Sequence, residues 1–212
     1  MGVSVGRLVV TLASSLGDLS DFWFPRDLDD HDEVEARAAV WFGGAISFDK
    51  LLEERFADLP ESVAAAFDTS VPLSHAEMLS LVLALDQLPR NLYRGSSRSF
   101  QYDPLALEVA TQLVRARATE QLHPVMAAFV YLPFEHAEDR TCQEQAVVGF
   151  RGLLARASAP LKEQFAQFLQ YAEMHLAVIE EFGRFPHRNR VLNRTPTAAE
   201  TAYLESGGET FG

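Results

Sequence analysis

Residues 85–95 read Leu-Asp-Gln-Leu-Pro-Arg-Asn-Leu-Tyr-Arg-Gly, and they follow an almost wholly apolar run. That run opens at Ser74 and Glu77, whose spacing is that of a capping box at the start of a helix. Apolar residues then cover nearly every face of residues 76–88, which predicts a helix buried at the centre of the fold. Proline has no amide hydrogen and disfavours α geometry in the residue before it, so the helix is expected to end just before Pro89.

A proline followed by a polar turn recurs twice farther along the chain. Residues 132–139 read Leu-Pro-Phe-Glu-His-Ala-Glu-Asp, and residues 183–189 read Gly-Arg-Phe-Pro-His-Arg-Asn. Pro133 predicts the end of another buried helix, and Gly183 is typical of the left-handed residue that follows a helix. We expect these two turns and residues 85–95 to form one shared site.

The rest of the chain favours an all-α fold. Every long segment has helical periodicity, and no segment alternates apolar and polar residues between hairpin turns. Short links marked by proline favour antiparallel helix pairs, as in an αα solenoid or an irregular bundle. Residues 1–20 could be a leader or a first helix, and we expect residues 21–212 to form a single all-helical domain.

Composition narrows the classes of function. The 212 residues carry 30 acidic and 18 basic side chains, and the formal net charge of −12 disfavours nucleic acid and anionic membranes as partners. No run approaches the length of a membrane span, and the single cysteine, Cys142, fits a reducing compartment, so a soluble cytoplasmic protein is expected. The chain has no phosphate-binding loop and no dinucleotide glycine pattern, so we predict no cofactor. The sequence does not indicate an oligomeric state.

Five ordered motifs resemble one protein family. They are Phe22-Trp23-Phe24, residues 85–95, Tyr102-Asp103-Pro104-Leu105-Ala106, residues 131–139 and residues 183–189. Together they are similar to the bacterial DUF924 family of uncharacterised proteins, from about residue 20 to the end. The resemblance implies a helical fold of the tetratricopeptide-like superfamily, and it implies no established reaction.

Arginine and asparagine side chains concentrate in the first and third turns. Arginine presents a planar fork of donors that binds carboxylate or phosphate through two parallel hydrogen bonds. We therefore predict a binding or scaffold module with an arginine-rich polar groove for an anionic small molecule or a peptide end. Alternatively, Arg90 and Arg184 pair with Asp86, Glu135, Glu138 or Asp139 and hold helix ends together. The predicted ligand-binding residues are Arg90, Asn91, Arg94, Arg184, His187, Arg188 and Asn189.

Acidic residues and histidines in the same turns allow a second hypothesis, a metal-assisted or acid–base hydrolytic enzyme. Glu135 and Asp139 are four residues apart and would share a face if they began one helix. The spacing matches no established metal motif, so no metal ligand is assigned. Acidic residues at this position could instead stabilise a helix start, and all of these groups could form a purely structural network. The candidate catalytic residues are Asp86, Glu135, His136, Asp139 and His187.

Overall fold

The computed structural model describes residues 5–67 and 73–211, with side chains from residue 12 onward. Within those ranges the regular structure is helical and no strand is present, which confirms the all-α class. The α-helices are α1 (Val5–Trp23), α2 (His31–Phe42), α3 (Ile46–Phe56), α4 (Leu59–Ala66), α5 (His75–Val82), α6 (Leu88–Leu92), α7 (Asp103–Arg115), α8 (Ala118–Gln121), α9 (Pro124–His136), α10 (Arg140–Arg156), α11 (Lys162–Phe182) and α12 (Ala198–Glu205). A π-helix covers Leu83–Gln87, and 3-10 helices cover Ser97–Phe100, Ala159–Leu161 and Pro186–Arg188.

The helices pack around α9, which is buried along most of its length. Helix α10 packs against both α9 and α11, while α7 packs against α5 and α9. Helices α1 and α5 also pack together. Because residues 137–139 are the whole link between α9 and α10, these two packed helices run in opposite directions, as short links in helical proteins require.

The start of the described chain is part of this packing. Helix α1 begins at Val5, so the segment that the sequence left open as leader or helix is helical from that residue. Its last turn supplies Trp23, which is fully buried and stacks on Trp41 of α2 with ring centroids 6.5 Å apart. The indole Nε1 of Trp41 donates to the carbonyl oxygen of Trp23, and the ring lies edge-on to Phe129 of α9 at 4.9 Å. These aromatic residues are core.

The central helix does not end before Pro89, contrary to the prediction. It continues through the π-helix Leu83–Gln87 into α6 and ends at Leu92. The π-helix widens the turn before the proline, and the amide of Leu88 bonds to the carbonyl of Leu83, five residues back. The chain thereby reaches Pro89 directly after the π-helix, as one of the first residues of α6. Asp86 is therefore carried inside the helix.

Pro133 likewise does not end its helix. Helix α9 runs through the proline to His136, and the extended link that follows ends at Asp139. Asp139 is the N-cap of α10 and accepts the amide of Cys142 at 2.9 Å. The expectation that Glu135 and Asp139 share a helix face is therefore wrong, because one ends α9 and the other precedes α10. The capping role holds for Asp139.

Helix α11 ends as the sequence indicates. Gly183 follows it with φ of +69°, in the left-handed region, and its amide bonds to the carbonyl of Ile179. Helix α12 opens with a capping box between Thr197 and Glu200. In the part of the chain that the structure describes, no helix has the length and apolar character needed to cross a bilayer.

Candidate functional site

The π-helix places a carboxylate at the centre of the molecule. The side chain of Asp86 is fully buried and accepts hydrogen bonds from Gln87 Nε2 at 2.6 Å and from His136 Nδ1 at 2.8 Å. Arg90 Nη1 lies 3.1 Å from the same carboxylate. Burial raises the pKa of Asp86, but the charge of Arg90 and the hydrogen bonds from His136 and Gln87 outweigh it and lower the pKa to about 2. Asp86 is therefore ionised at neutral pH.

Arg90 joins two helices through paired hydrogen bonds. Its guanidinium binds both carboxylate oxygens of Asp103 on α7, at 2.8 and 2.9 Å, and the carbonyl oxygen of Asp86 at 2.9 Å. Burial lowers the pKa of Arg90, but the charges of Asp86 and Asp103 outweigh it and the net shift is upward. Most of the fork's donors are therefore committed to the protein. The sequence predicted a pairing of this kind with Asp86, and it did not foresee Asp103.

His136 ends α9 with its ring against Asp86. Because an ionised carboxylate only accepts hydrogen bonds, the 2.8 Å contact assigns the ring proton to Nδ1 and leaves Nε2 as an acceptor. Burial, followed by the charge of Arg90, lowers the pKa of His136 despite the opposing effect of Asp86. The arrangement is that of a neutral imidazole held in one tautomer by a carboxylate. Such a ring can accept a proton at Nε2.

Arg188 completes this group from the 3-10 helix Pro186–Arg188. Its Nη1 donates to the carbonyl oxygen of His136 at 3.0 Å, and its guanidinium carbon lies 4.5 Å from the ring centres of both Phe100 and Phe185. Asp103 is 3.9 Å away and already binds Arg90 through both oxygens. The Nε of Arg188 is buried and has no hydrogen-bond partner within the described ranges. We call the five residues Asp86, Arg90, Asp103, His136 and Arg188 the polar cluster.

The electrostatics of Arg188 differ from those of its neighbours. Burial, then the charge of Arg90, lowers its pKa to about 10, against the opposing effect of Asp103. The group remains protonated at neutral pH. It is thus a buried cation whose charge is incompletely balanced, with aromatic rings on both sides.

The other predicted arginines are paired with carboxylates. Arg94 of the turn after α6 binds Asp49 of α3 at 2.8 Å, and it also donates to Asn91 Oδ1. Arg184 binds both carboxylate oxygens of Glu200 on α12, at 2.6 and 2.8 Å. Both pairs join segments that lie far apart in the chain. The structural alternative expected Arg184 to pair with an acidic residue, although Glu200 was not among its candidates.

The two predicted asparagines are buried and serve backbone or arginine groups. Asn91 Nδ2 donates to the carbonyl oxygen of Gln87 at 2.8 Å. Asn189 Oδ1 accepts from Arg194 Nε at 2.9 Å. They fix the geometry of the first and third turns.

A second buried pair lies beside the polar cluster. The Glu135 carboxyl is 3.4 Å from His175 Nδ1, which is also 2.8 Å from the carbonyl oxygen of Tyr171. Burial, reinforced by the charge of Asp86, raises the pKa of Glu135 to about 8. Burial lowers the pKa of His175 to about 3. At neutral pH the pair is an uncharged acid beside an uncharged imidazole.

His187, the remaining candidate, lies among aromatic rings and not against the carboxylates. Its ring is 5.6 Å from that of Phe185 and 5.8 Å from that of Phe211. Burial and the charge of Arg188 lower its pKa to about 4. Both ring nitrogens are buried, and the backbone of Phe211 and the charge of Glu138 oppose the lowering of this pKa.

The candidate catalytic residues do not converge on a metal. Among the described side chains, the group of three whose ligand atoms lie within 4.8 Å of one another is His31, Asp32 and Glu35 at the start of α2, of which Asp32 and Glu35 are exposed. Glu135, His136, Asp139 and His187 do not form such a group. The structure brings Asp86 and His136 into contact, places Glu135 behind them, and leaves Asp139 as a cap.

Sequence reasoning missed four residues of the site. Asp103 is the first residue of α7, whose N-cap is Tyr102, and its carboxylate binds Arg90. His175 lies within a long amphipathic helix and carries no local signal. The rings of Phe100 and Phe185 contact Arg188. The one signal for these contacts in the sequence is that both phenylalanines lie close to arginines.

Comparisons with known proteins give a family and a similar fold, and they add no activity. The family model for DUF924, described as a bacterial protein of unknown function, matches residues 19–208. A solved structure of a protein of unknown function from Agrobacterium tumefaciens, ATU0120, is similar at a TM-score of 0.74 and 33% sequence identity. That match covers 92% of this chain and 99% of the other. No curated protein matches.

Proposed function

This chain belongs to the DUF924 family, and we propose that it is a binding module whose polar cluster takes an anionic ligand. Arg188 is the residue that recognises the anion in this proposal. The backbone carbonyl of His136 and the rings of Phe100 and Phe185 hold that arginine in place, while Arg90 occupies both carboxylate oxygens of Asp103.

One observation carries the proposal, the unbalanced state of Arg188. Arg90, Arg94 and Arg184 each bind a carboxylate at 2.9 Å or less. Arg188 is at least as buried, yet its nearest carboxylate oxygen is 3.9 Å away and its Nε has no partner among the described residues. Burying a cation without a compensating negative charge costs folding free energy. Charged groups with perturbed pKa values cluster at functional sites. An incoming carboxylate or phosphate would supply the missing charge.

The experiment is a titration of the full-length chain with acetate and with inorganic phosphate, followed by thermal shift. A ligand that binds only the folded state raises the melting temperature with concentration. We expect at least one anion to do so. Arg188→Gln should weaken that binding about tenfold or more, because hydrogen bonds to charged groups contribute roughly 1.5–3 kcal/mol. Arg188→Lys should be intermediate, since it keeps the charge and loses the fork.

Arg151→Gln is the matched control, because Arg151 forms an exposed ion pair with Glu173 on the surface of α10 and α11. It should bind the anion as the unchanged chain does. The proposal fails if neither anion raises the melting temperature. It fails equally if Arg188→Gln, shown to be folded by circular dichroism, responds as the control does.

An acid–base hydrolytic enzyme is the second candidate, favoured by the 2.8 Å contact between Asp86 and His136. The carboxylate orients the imidazole so that Nε2 can accept a proton from an attacking water. Hydrolysis of p-nitrophenyl acetate that His136→Gln lowers at least tenfold, and Arg151→Gln leaves unchanged, would support this role. Equal rates in the two variants would reject it.

A further inference from the structure

Phe211 packs into a site made of rings. Its ring stacks on His175 with centroids 3.5 Å apart and planes 22° apart. It stands edge-on to Phe185 at 5.9 Å and to His187 at 5.8 Å. We call these three residues, His175, Phe185 and His187, the ring seat.

The segment that delivers Phe211 has no helix or strand of its own. It is Gly207–Phe211, called here the closing segment. Gly207 has φ of +83°, a conformation that side chains rarely adopt, and the amide of Gly208 bonds to the carbonyl of Tyr203. Tyr203 Oη donates to the carbonyl of Glu209 at 3.3 Å. Two adjacent glycines thus connect α12 to a segment that ends in a ring contact.

The ring seat adjoins the polar cluster through two of its members. The ring of Phe185 contacts Arg188 of the polar cluster and also Phe211 in the ring seat. His175 Nδ1 also lies 3.4 Å from the carboxyl group of Glu135. Phe211 therefore covers the groups that lie next to Arg188.

We propose that the closing segment is a displaceable plug, and that the ring seat beneath it binds the aromatic ring of the anionic ligand. This inference rests on the proposed function, because it assigns the acid group of the ligand to Arg188. The ligand class that follows is an aromatic carboxylate, in which a flat ring replaces that of Phe211.

The chemistry of the seat fits such a ring. His175 and His187 are uncharged at neutral pH, since burial holds the pKa of each well below its usual range. They and Phe185 offer flat, weakly polar surfaces, on which stacked and edge-on contacts are favourable. Phe211 already adopts both kinds of contact. An aliphatic acid would leave the seat unfilled.

Calorimetric titration with phenylacetate tests the inference, with acetate as the probe that lacks a ring. If the closing segment competes for the seat, the apparent affinity is reduced by the fraction of molecules that are open. Phe211→Ala should bind phenylacetate at least about tenfold more tightly than the unchanged chain, which corresponds to a plug closed in about nine-tenths of molecules. Acetate should bind Phe211→Ala and the unchanged chain equally.

Tyr171→Ala, which removes an exposed ring from the same helix as His175, is the control and should leave phenylacetate affinity unchanged. Phe211→Leu is the second variant should Phe211→Ala fail to fold, and it should also bind more tightly. Equal affinity of the Phe211 variant and the unchanged chain would overturn the plug while leaving anion binding at Arg188 intact. Phenylacetate binding that Arg188→Gln does not weaken would instead overturn the proposed function.

Discussion

Glu135 shows how position alone decides the chemistry of a side chain. It lies next to His136 at the end of α9. Arg90 binds Asp86 and Asp103, but among the described residues no arginine forms such a pair with Glu135. Burial and the charge of Asp86 therefore raise its pKa, whereas the pKa of Asp86 itself is lowered. At neutral pH, therefore, the carboxyl group of Glu135 is protonated and that of Asp86 is ionised.

Replacing Glu135 with Gln tests this assignment through stability. The pKa of about 8 lies above the ordinary 4.5, so between these values the folded chain keeps a proton that the unfolded chain has released. Stability contributed by this group therefore falls as the pH rises from about 4.5 to 8. Gln cannot titrate. We expect Glu135→Gln to gain stability relative to the unchanged chain between pH 5 and 8, by about 1.4 kcal/mol or more.

Urea unfolding at the two pH values measures that gain. His175 and His187 also titrate differently in the folded and unfolded chains, but both are present in each protein and cancel in the comparison. Glu173→Gln on the exposed surface of α11 controls for the chemical change. A stability difference that is the same at pH 5 and pH 8 would mean that Glu135 is ionised in the fold.

At the scale of helices, the ends and interruptions position the site. Gly183 turns the chain out of α11 with positive φ and directs Arg184 and Phe185 toward their partners. Gly152 is the contrasting case, within α10, with open space where a Cβ would stand. The same substitution should have opposite effects at the two positions.

Gly183→Ala should destabilise the protein by about 1 kcal/mol or more, because an L residue is strained in the left-handed region. Gly152→Ala should stabilise it by about 0.5–1 kcal/mol, because alanine loses less conformational freedom within a helix. Thermal unfolding of the two variants side by side gives both values. Destabilisation of equal size in both would indicate that backbone conformation is not the cause.

The helices themselves could be predicted from the sequence, and two of their ends could not. Capping signals at Ser74 and Gly183 are local, and the structure has both. Pro89 and Pro133 are also local signals of a helix end, but at each the helix is buried and apolar and continues past the proline. The π-helix before Pro89 depends on what surrounds it, and no residue in the sequence indicates it.

The sequence predicted which segments form the candidate site, but not which arginine pairs with which carboxylate. Sequence reasoning expected the three polar turns to meet, and contacts join them: His136 binds Asp86, and Arg188 binds the carbonyl oxygen of His136. Which carboxylate each arginine would take depends on distances in space, so Asp103 and Glu200 could not be chosen from spacing. For the same reason, the sequence does not show that Arg188, unlike its neighbours, lacks a close carboxylate partner.

At the scale of the whole molecule, the site is assembled from segments far apart in the chain. Glu138 follows α9, and its carboxylate accepts Arg194 at 2.5 and 3.0 Å and the backbone amide of Phe185 at 2.8 Å. Arg194 also donates to the carbonyl oxygen of Phe185. This half-buried pair holds the segment after α11 against the end of α9. Arg188 lies three residues beyond Phe185, so its position depends on the same contact.

A double-mutant cycle of Glu138→Gln and Arg194→Gln measures how strongly these segments are joined. Groups that share a hydrogen-bond network couple by roughly 0.5–3 kcal/mol, and we expect about 1 kcal/mol or more here. The same cycle on Arg151 and Glu173, an exposed pair, should give about 0–1 kcal/mol. Glu138→Gln should also weaken acetate or phosphate binding, because a looser link no longer fixes Arg188 beside His136. Coupling no larger than that of the exposed pair, with unchanged anion binding, would mean that the 183–194 segment is held by its apolar contacts and that Arg188 keeps its place without Glu138.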